Sequence, residues 1–438
     1  MRFVSTRGQS SPVSISDALQ AGLAPDGGLY VPEFFPQFTA ADFEGLHSFP
    51  EIACRALAPF FSGDALAPSL RKICESAFSF PIGLKPLRDT TSVLELFHGP
   101  SAAFKDFGAR FLAECLSRQG QRQDRQLERT ILVATSGDTG GAVAAAFHRK
   151  PGVKVVILFP KDGVSPRQRQ QLCGWRDNVR AIAVQGSFDD CQRLVKTALM
   201  DAGLQRLRLA SANSINIGRL LPQLTYYVAA SVWYYSEHEK RPAFSIPSGN
   251  IGNAVAALWA KRMGLPIRHV AMATNANRAV VDYFETGEWR PRPSVATLAN
   301  AMDVGNPSNM ERVLHLYPSD SHESNELPNE LNNDLSHDVS ALSVSDEQIR
   351  KTISEGEKNW QEIWCPHTAT AVHLREAQET PDWIIVATAH PAKFDSIVEP
   401  LIGHPVRVPP QLAALLTRPS EFTEIAPEFD AFRKQLNS

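Results

Sequence analysis

The sequence reads LELFHGPSAAFKDFG over Leu94–Gly108, and the rest of the chain is arranged around this stretch. Its first residues are apolar and typical of a strand, which ends where His98–Pro100 predicts a turn. From Asp106 onward the apolar residues recur at helical spacing, which predicts that a helix begins at Lys105. The stretch therefore predicts a strand, a short loop and a helix, with a lysine at the helix start.

Lys105 lies between two aromatic residues, Phe104 and Phe107, at this predicted helix start. The positive end of the helix dipole and partial burial beside aromatic rings both disfavour the ammonium form of a lysine. Lys105 is therefore a candidate nucleophile of the kind that forms a Schiff base. Taken alone, the same features also fit a solvated lysine near a helix start, which is the more frequent case.

Composition and charge exclude several classes of protein. A chain of 438 residues favours two domains, and 43% apolar with 21% charged residues is typical of a soluble globular protein. The net charge of -3 gives no basic surface for nucleic acid or membrane, and neither a signal peptide nor a membrane span is expected. The six cysteines are scattered without metal-ligand spacing, which predicts reduced thiols, no metal site and a cytoplasmic location. Monomer and homodimer both remain open.

Apolar strands alternate with polar loops and helices from Thr130 onward. Near-continuous apolar strands in this alternation predict an α/β fold with a mostly parallel sheet that is covered on both faces. Ligands of such sheets bind outside the carboxyl ends of the strands, and the polar loops of this chain follow those ends. The predicted strands are Ile131–Thr135, Val153–Phe159, Ala181–Val184, Phe244–Pro247, Arg268–Ala273 and Trp383–Val386.

Three of these loops have side chains and amides suited to anions. Gly249–Asn253 follows a strand and opens a helix, so its glycines and free amides suit a phosphate, although a plain helix-start turn also fits. Residues 135–141 offer hydroxyls suited to a carboxylate, with an ordinary N-cap as the alternative. Asn213–Arg219 adds a guanidinium suited to a second phosphate or to a structural ion pair. Together with Lys105, these three loops suit a pyridoxal phosphate enzyme that acts on an anionic amino acid.

Three parts of the chain are expected from these patterns. Residues 1–85 are expected to form a small N-terminal domain or cap, and residues 86–270 the core with the lysine and the anion loops, including a smaller mobile subdomain around 100–220. Residues 271–438 are expected to complete the large domain and to carry a C-terminal segment. Within them, the Ser-, Asn-, Asp- and Glu-rich stretch 319–346 predicts a surface loop or a partly mobile insertion without a site.

The motifs together resemble those of the threonine synthases, in particular the longer bacterial and fungal type among the fold-type II pyridoxal phosphate enzymes. The resemblance runs from PDGGLY at 25–30 to TAHPAKF at 388–394, which is nearly the whole chain. It implies two open, twisted, mostly parallel sheets flanked by helices, with a small N-terminal region. The other motifs that carry it are HGPSAAFKDFG around Lys105, ATSGDTG at 134–140, NSINIGRL at 213–220, PSGNIGN at 247–253 and NAMDVGNPSN at 300–309.

The resemblance also implies a role for each matching residue. Lys105 is expected to bind the cofactor covalently and then to move protons, and Thr388 is expected to meet the pyridine nitrogen. Asp138 stands where many relatives in the wider fold have Asn near the 3'-oxygen of the cofactor, so a carboxylate there must be protonated or hydrogen-bonded elsewhere. The cofactor phosphate is assigned to Gly249, Asn250, Ile251, Gly252 and Asn253, the substrate carboxylate to Ser136 and Thr139, and the substrate phosphate to Asn213, Ser214 and Arg219.

The implied reaction converts O-phospho-L-homoserine and water into L-threonine and phosphate. Ser101 and Ile251 depart from the family pattern, which has Thr and Phe, but neither change removes a reacting group. His98 and Asp106 are expected to be structural. The alternatives are a related lyase or dehydratase that ends in 2-oxobutyrate, and a non-catalytic binding protein on the same fold.

Overall fold

The computed structural model describes residues 1–122, 128–318 and 333–437, and these residues form three sheets surrounded by helices. The strands are β1 Phe3–Ser5, β2 Tyr30–Pro32, β3 Gly83–Pro86, β4 Thr91–Glu95, β5 Arg129–Ala134, β6 Val153–Pro160, β7 Val179–Val184, β8 Ala210–Ser211, β9 Ala243–Pro247, β10 His269–Thr274, β11 Val339–Ser343, β12 Trp383–Ala387 and β13 Thr423–Ile425. The helices are α1 Ile15–Ala21, α2 Phe49–Leu57, α3 Leu70–Ala77, α4 Lys105–Arg122, α5 Asp138–Phe147, α6 Pro166–Cys173, α7 Phe188–Met200, α8 Ile217–Leu220, α9 Leu224–His238, α10 Gly252–Arg262, α11 Ala279–Thr286, α12 Met310–Leu316, α13 Asn333–Asp338, α14 Asp346–Trp360, α15 Pro366–Glu376, α16 Asp395–Ile402, α17 Pro410–Leu416 and α18 Phe429–Asn437.

The largest sheet has six strands in the order β11-β10-β9-β12-β4-β3, and only β3 runs antiparallel to its neighbour. Its central strands β9 and β12 are buried at every position, as expected for parallel strands covered on both faces. Because β9, β12 and β4 are adjacent and parallel, the loops that follow them meet at one edge of the sheet. These loops carry Gly249, Thr388 and Lys105, respectively.

The second sheet is parallel throughout and has five strands in the order β13-β7-β6-β5-β8. The two mostly parallel sheets confirm the predicted architecture. The C-terminal segment expected within residues 271–438 does not join the six-stranded sheet. The last strand, β13, pairs instead with β7 of the five-stranded sheet, and α18 packs its buried Phe432 beside β7 and α7 residues in the same core cluster. The chain therefore returns to the smaller sheet at its end.

The N-terminal region packs its aromatic side chains directly on α4. The rings of Phe49 and Phe78 lie 5.6 and 5.9 Å from Phe107, and Phe61 lies 6.0 Å from Phe111. These side chains belong to one continuous hydrophobic cluster that also includes residues of both larger sheets. Buried aromatic side chains of the N-terminal region thus pack against α4, the helix that begins with Lys105.

Part of the polar stretch 319–346, predicted as a surface loop, forms regular secondary structure. Residues 319–332 lie outside the described part of the chain. The remainder forms α13 and then β11, which pairs in parallel with β10 at the edge of the six-stranded sheet. An edge strand buries less side-chain surface than a central one, so β11 has partly exposed residues and no continuous apolar run to reveal it. Among the described helices, none has the length and apolar content required to cross a membrane.

Candidate active site

A single cavity of about 1520 Å³ contains every residue that the sequence analysis assigned to a site. It lies at the carboxyl ends of β4, β9 and β12 of one sheet and of β5 and β8 of the other. This is the position at which ligands of open α/β sheets bind. The thirteen predicted residues in its wall are Lys105, Ser136, Asp138, Thr139, Asn213, Ser214, Arg219, Gly249, Asn250, Ile251, Gly252, Asn253 and Thr388.

Lys105 is the first residue of α4, as predicted, and its Nζ lies 4.4 Å from the centre of the Phe104 ring. Burial and the positive charge of Arg219, opposed by the charge of Asp138, lower the pKa of this amine to about 8. The predicted flanking by Phe107 is wrong. The Phe107 ring packs against Phe80 and Tyr226 instead, with ring centres 4.9 and 5.1 Å apart, because successive helical residues point in different directions.

The loop before Lys105 is shaped by the buried carboxylate of Asp106. One oxygen of Asp106 accepts a hydrogen bond from the Ser101 amide at 2.8 Å, and a Cβ at Gly99 would collide with the same side chain. Burial raises the pKa of Asp106 to about 6. His98 pairs with Glu95 at 2.8 Å, close to the end of β4. These contacts agree with the structural roles expected for Asp106 and His98.

Backbone hydrogen bonds join the Lys105 loop to the segment after β12. The Phe104 amide donates to the Thr388 carbonyl at 2.8 Å, and the His390 amide donates to the Ala102 carbonyl at 3.0 Å. Thr388 itself is buried, and its amide donates to the Thr368 hydroxyl at 3.3 Å. Lys105 and Thr388 are therefore held next to each other although 283 positions separate them in the sequence.

The GNIGN loop lies between β9 and the N-terminus of α10. A Cβ on Gly249 would lie 2.6 Å from the Cα of Met302, so only glycine fits there without a backbone shift. Ile251 has φ +47°, an uncommon left-handed conformation for a β-branched residue. The Asn253 Nδ2 is buried without a partner in the described structure, while its Oδ1 accepts from Tyr226 and Tyr227. The loop thus presents unpaired donors at a helix N-terminus.

Ser214 contacts the GNIGN loop, which the sequence analysis did not anticipate. The Asn250 Nδ2 donates to the Ser214 hydroxyl at 2.6 Å and to the Ser308 hydroxyl at 3.0 Å. The Asn309 Nδ2 donates to the Asn250 carbonyl at 3.0 Å. The residues assigned to the cofactor phosphate and those assigned to the substrate phosphate are therefore neighbours in one polar wall.

Arg312 supports this wall and was missed in the sequence. Its buried guanidinium donates to the carbonyls of Ser214 at 3.0 Å, Ile215 at 2.8 Å and Tyr30 at 3.1 Å. Burial lowers its pKa to about 9. In the sequence, Arg312 stood out only by its position three residues after the NAMDVGNPSN motif. That position does not reveal which carbonyl groups its guanidinium contacts.

Arg219 is buried beneath the first turn of α4. A Cβ on Gly108 would lie 2.5 Å from the Arg219 carbonyl, so the glycine allows this close approach. One Nη of Arg219 donates to the Ala212 carbonyl, whereas the Nε has no partner in the described residues. Burial lowers the pKa of the guanidinium to about 10, which still leaves it charged near neutrality. Within the described part of the chain Arg219 forms no salt bridge, so the alternative of a structural ion pair is not supported.

The 135–141 loop leaves two hydroxyls free for a ligand. The hydroxyl of Thr135 accepts from the amides of Gly137 and Gly140, both at 2.9 Å, and Gly137 is the N-cap of α5. Ser136 and Thr139 line the cavity and have no side-chain hydrogen bond to the described residues. The capping contacts at the start of α5 are therefore made by Thr135, which leaves the hydroxyls of Ser136 and Thr139 in the cavity wall.

Asp138 is an ionised carboxylate that is paired within the protein. Its Oδ1 lies 3.0 Å from the Lys393 Nζ and accepts from the Gln168 Nε2 at 3.2 Å. Burial alone would raise its pKa, but the charge of Lys393 and the hydrogen bonds from Lys393 and Gln168 lower it. Because Lys393 and Gln168 contact this oxygen, a carboxylate is stable at a position where many relatives in the wider fold have Asn. Sequence reasoning missed Lys393, Gln168 and His367 because each is far from Asp138 in the chain.

His367 is another buried polar residue in the cavity wall. Its Nε2 accepts from the Ala301 amide at 3.0 Å, and its Nδ1 is buried without a partner in the described residues. Burial lowers the pKa of His367 to about 4, so the ring is neutral near pH 7 and Nδ1 carries the proton. His367 can therefore donate a hydrogen bond from the start of α15.

Comparisons with known proteins agree with this geometry over the whole chain. The family described as pyridoxal-phosphate dependent enzyme matches residues 92–391, and the threonine synthase N-terminal and C-terminal families match residues 2–78 and 367–435. The threonine synthase of Serratia marcescens is 38% identical over 442 residues, which cover 100% of this chain and 99% of that protein. The chain belongs to the threonine synthase family.

Solved structures of the threonine synthase family have the same fold. The crystal structure of threonine synthase from Escherichia coli aligns with a TM-score of 0.91 at 36% identity and covers 100% of this chain and 99% of that one. The structure of PLP-bound threonine synthase from Brucella melitensis aligns with a TM-score of 0.90 at 34% identity, covering 100% and 98%. These matches confirm the predicted family and fold class.

The cavity fits the cofactor of this family, and the chain is a pyridoxal-phosphate-dependent enzyme. Lys105 supplies an amine whose pKa is depressed by burial, and the N-terminus of α10 supplies free amides for a phosphate. The unpartnered Asn253 Nδ2 lies in the same loop. The described residues contain no group of three or more His, Cys, Asp or Glu side chains placed to hold a metal ion.

Proposed function

We propose that this protein converts O-phospho-L-homoserine and water into L-threonine and phosphate, as a carbon-oxygen lyase acting on a phosphate. The observation that carries the proposal is the buried guanidinium of Arg219, which lines the same cavity as Lys105 and forms no salt bridge within the described residues. A buried cation without a paired anion is costly, so the site favours a ligand that brings negative charge. The similarity to threonine synthases over the full chain supports the same reaction.

Four features of the wall are assigned to the cofactor. Lys105 binds it covalently, and Gly249, Asn250, Ile251, Gly252 and Asn253 hold its phosphate at the N-terminus of α10. Thr388 faces the ring nitrogen and Asp138 the 3'-oxygen. The bound pyridoxal phosphate supplies an electron sink for the electron pair left on a substrate carbon when a proton departs. A neutral hydroxyl at the ring nitrogen, instead of a carboxylate, moderates that sink.

Lys105 is the group that moves protons. A lysine with a pKa of about 8 is partly neutral near pH 7.5, so it can accept a proton from Cα of the substrate without an external base. It then assists loss of a proton from Cβ, which allows phosphate to leave from Cγ. A proton then returns to Cγ, which becomes the methyl group, water adds at Cβ to give the threonine hydroxyl, and a proton returns to Cα. One water is consumed and one phosphate is released.

The remaining polar residues orient the substrate. Ser136 and Thr139 have free hydroxyls and are assigned to the amino-acid carboxylate. Asn213, Ser214 and Arg219 are assigned to the substrate phosphate, with Arg219 opposing the charge that grows on the leaving group. The hydrogen bond between Asn250 and Ser214 places this subsite next to the cofactor phosphate loop.

Substitution of Arg219 tests the substrate class. In Arg219→Ala, loss of one partner of a buried charge pair is expected to cost about 2–5 kcal/mol, which is roughly a 30-fold to few-thousandfold fall in kcat/KM. Arg219→Lys should recover only part of this loss, because a point charge does not reproduce the bidentate fork. Cofactor affinity should change little, since its phosphate is assigned to another loop.

Two controls make this test specific. Slow deamination of L-serine, which has no phosphate, should be nearly indifferent to Arg219→Ala. Arg375 is a buried arginine of α15 that does not line the cavity, and it donates to Thr91 Oγ1 at 2.9 Å. Arg375→Ala should lower stability without changing the ratio of the two substrate activities. If Arg219→Ala impairs both substrates and cofactor retention equally, Arg219 is structural and the proposed substrate class is wrong.

We further propose a cytoplasmic enzyme that acts on a small molecule and not on nucleic acid. The described cysteines are all free thiols and the net charge is -3, which support these two points. The division of the chain into parts, including a mobile subdomain around 100–220, also remains a proposal. Sedimentation of the holoenzyme distinguishes a monomer from a homodimer.

A further inference from the structure

Lys393 is a fully buried amine that the proposed reaction does not use. It lies in the turn Pro391–Phe394 after β12, has no exposed surface, and does not line the cavity. Its Nζ donates to the Ser101 carbonyl at 2.7 Å and lies 3.0 Å from Asp138 Oδ1. Because a buried ammonium is unfavourable without an anion, Asp138 is the reason that Lys393 can be charged there.

The Lys393–Asp138 pair connects the two large sheets across the cavity. Lys393 follows β12 of the six-stranded sheet, whereas Asp138 begins α5, which follows β5 of the five-stranded sheet. Gln168 of α6 continues the connection, since it donates to Asp138 Oδ1 and accepts from Asn300 Nδ2, both at 3.2 Å. Asp138 is therefore fixed from two sides, with little freedom to turn.

The carboxylate of Asp138 keeps one oxygen free. Both protein contacts use Oδ1, and Oδ2 has no hydrogen-bond partner within the described residues. Asp138 lines the cavity that contains Lys105. The other titratable side chains around the pair include Lys105 and Asp106 at the start of α4, Cys365 and His367 at the start of α15, and His390 beside Lys393.

We propose that Lys393 is a positioning residue which balances the charge of Asp138, so that the pair sets whether the 3'-oxygen of the bound pyridoxal ring carries a proton. The inference rests on the proposed function, in which Asp138 faces that oxygen. An unbalanced carboxylate there would repel an oxyanion, and the ring oxygen would keep its proton to a higher pH. With Lys393 in place, the two charges cancel and the oxyanion is tolerated.

Spectral titration of the holoenzyme tests this inference without reference to turnover. The bound cofactor changes its visible band when the proton shared between its 3'-oxygen and the nitrogen of Lys105 is lost, so the pH at which the bands exchange reports the pKa of that shared proton. Lys393→Met should raise this spectral pKa by about one unit or more, because it leaves Asp138 uncompensated. Asp138→Asn should lower the spectral pKa, since it removes the carboxylate and adds an amide donor.

Two further variants separate charge balance from a structural role. The double variant K393M/D138N removes both charges and should return the spectral pKa towards that of the parent, and Lys393→Arg should stay close to the parent. If Lys393→Met does not fold, the comparison of K393M/D138N with Asp138→Asn still decides the question, because these two variants differ only at Lys393. A purely structural Lys393 would lower the melting temperature, leave the spectral pKa of Lys393→Met equal to that of the parent and leave that of K393M/D138N equal to that of Asp138→Asn, which would overturn the inference.

The same titration separates this inference from the proposed function. If the parent protein shows no visible cofactor band that depends on Lys105, the proposed function itself is wrong. If the parent shows the band but substitution of Lys393 and Asp138 leaves its spectral pKa in place, only the inference is wrong.

Discussion

At the scale of single residues, burial decides the chemistry of the candidate site. Lys105 becomes a usable nucleophile because its amine is removed from water and faces the charge of Arg219. Arg219 itself remains charged because even a lowered pKa of about 10 lies well above neutrality. Burial thus lowers both pKa values, but it makes only Lys105 reactive, because the guanidinium of Arg219 starts from a higher pKa and stays charged.

The depressed pKa of Lys105 predicts how the apoenzyme takes up its cofactor. Only the neutral amine attacks an aldehyde, so the rate at which pyridoxal phosphate attaches should rise with pH and reach half its maximum near pH 8. An ordinary lysine would reach half-maximum near pH ~10.4. Stopped-flow absorbance at the cofactor band gives the rate, which should be absent in Lys105→Ala and normal in the exposed-lysine variant Lys72→Ala. A profile that still climbs near pH 10 would contradict the burial argument.

At the scale of elements, the glycines of the GNIGN loop are required by packing. The Cβ that Gly249 lacks would meet the backbone of Met302, and a backbone neighbour cannot rotate away as a side chain can. The loop therefore approaches the 300–309 segment closely, and this approach sets the position of the α10 N-terminus.

Gly249→Ala is expected to weaken cofactor binding. Relief of the overlap with Met302 should cost about 1–3 kcal/mol, which is roughly 5- to 150-fold in the dissociation constant of pyridoxal phosphate. Gly120 provides the matched control, because nothing lies within 4 Å of a Cβ added there and it is a helical residue of α4. Gly120→Ala should stabilise the protein by about 0.5–1 kcal/mol. Equilibrium binding and thermal denaturation measure the two effects, and equal affinities in both variants would refute the packing argument.

The sequence predicted those elements whose signal is local. The strands β5, β6, β9 and β12 are continuous apolar runs, and their loops were assigned to one edge because parallel strands end together. The edge strand β11 was missed because it lacks a continuous apolar run. The strand β13 was missed because it has only three residues and pairs with a strand that is distant in the sequence.

Contacts between distant residues could not be predicted in the same way. Lys393 meets Ser101 across 292 positions, and Arg312 meets Tyr30 across 282. Such contacts leave no periodic pattern in the sequence, because they depend on how whole elements pack against each other. The predicted direction of Phe107 failed for a related reason, because the sequence indicated a helix but not the neighbour that each of its faces contacts.

At the scale of the whole molecule, buried polar groups connect parts that are far apart in the chain. Arg312 joins β2 of the N-terminal region to the 213–215 loop and to Asn309, and the Lys393–Asp138 pair joins the two larger sheets. Because the cavity is formed where these parts meet, its shape depends on both connections.

Arg312→Ala is expected to destabilise the protein strongly. It leaves the carbonyls of Tyr30, Ser214 and Ile215 without their donor, and each buried unsatisfied group costs about 1–3 kcal/mol. We therefore expect a loss of at least ~3 kcal/mol in the free energy of unfolding, together with weaker cofactor binding. The exposed pair of Arg71 and Glu75 is the control, and Arg71→Ala should leave the free energy of unfolding nearly unchanged. Denaturant unfolding that gives the two variants equal stability would contradict the role assigned to Arg312.

The most direct measurement for the proposed function is product analysis with O-phospho-L-homoserine as the sole substrate. The purified holoenzyme should release L-threonine and phosphate in equal amounts, with 2-oxobutyrate and ammonia as minor products. Arg219→Ala should slow both major products together. Release of 2-oxobutyrate in place of threonine would show a phospho-lyase on this fold, and no release of phosphate at all would show that the cavity does not act on a phosphorylated amino acid.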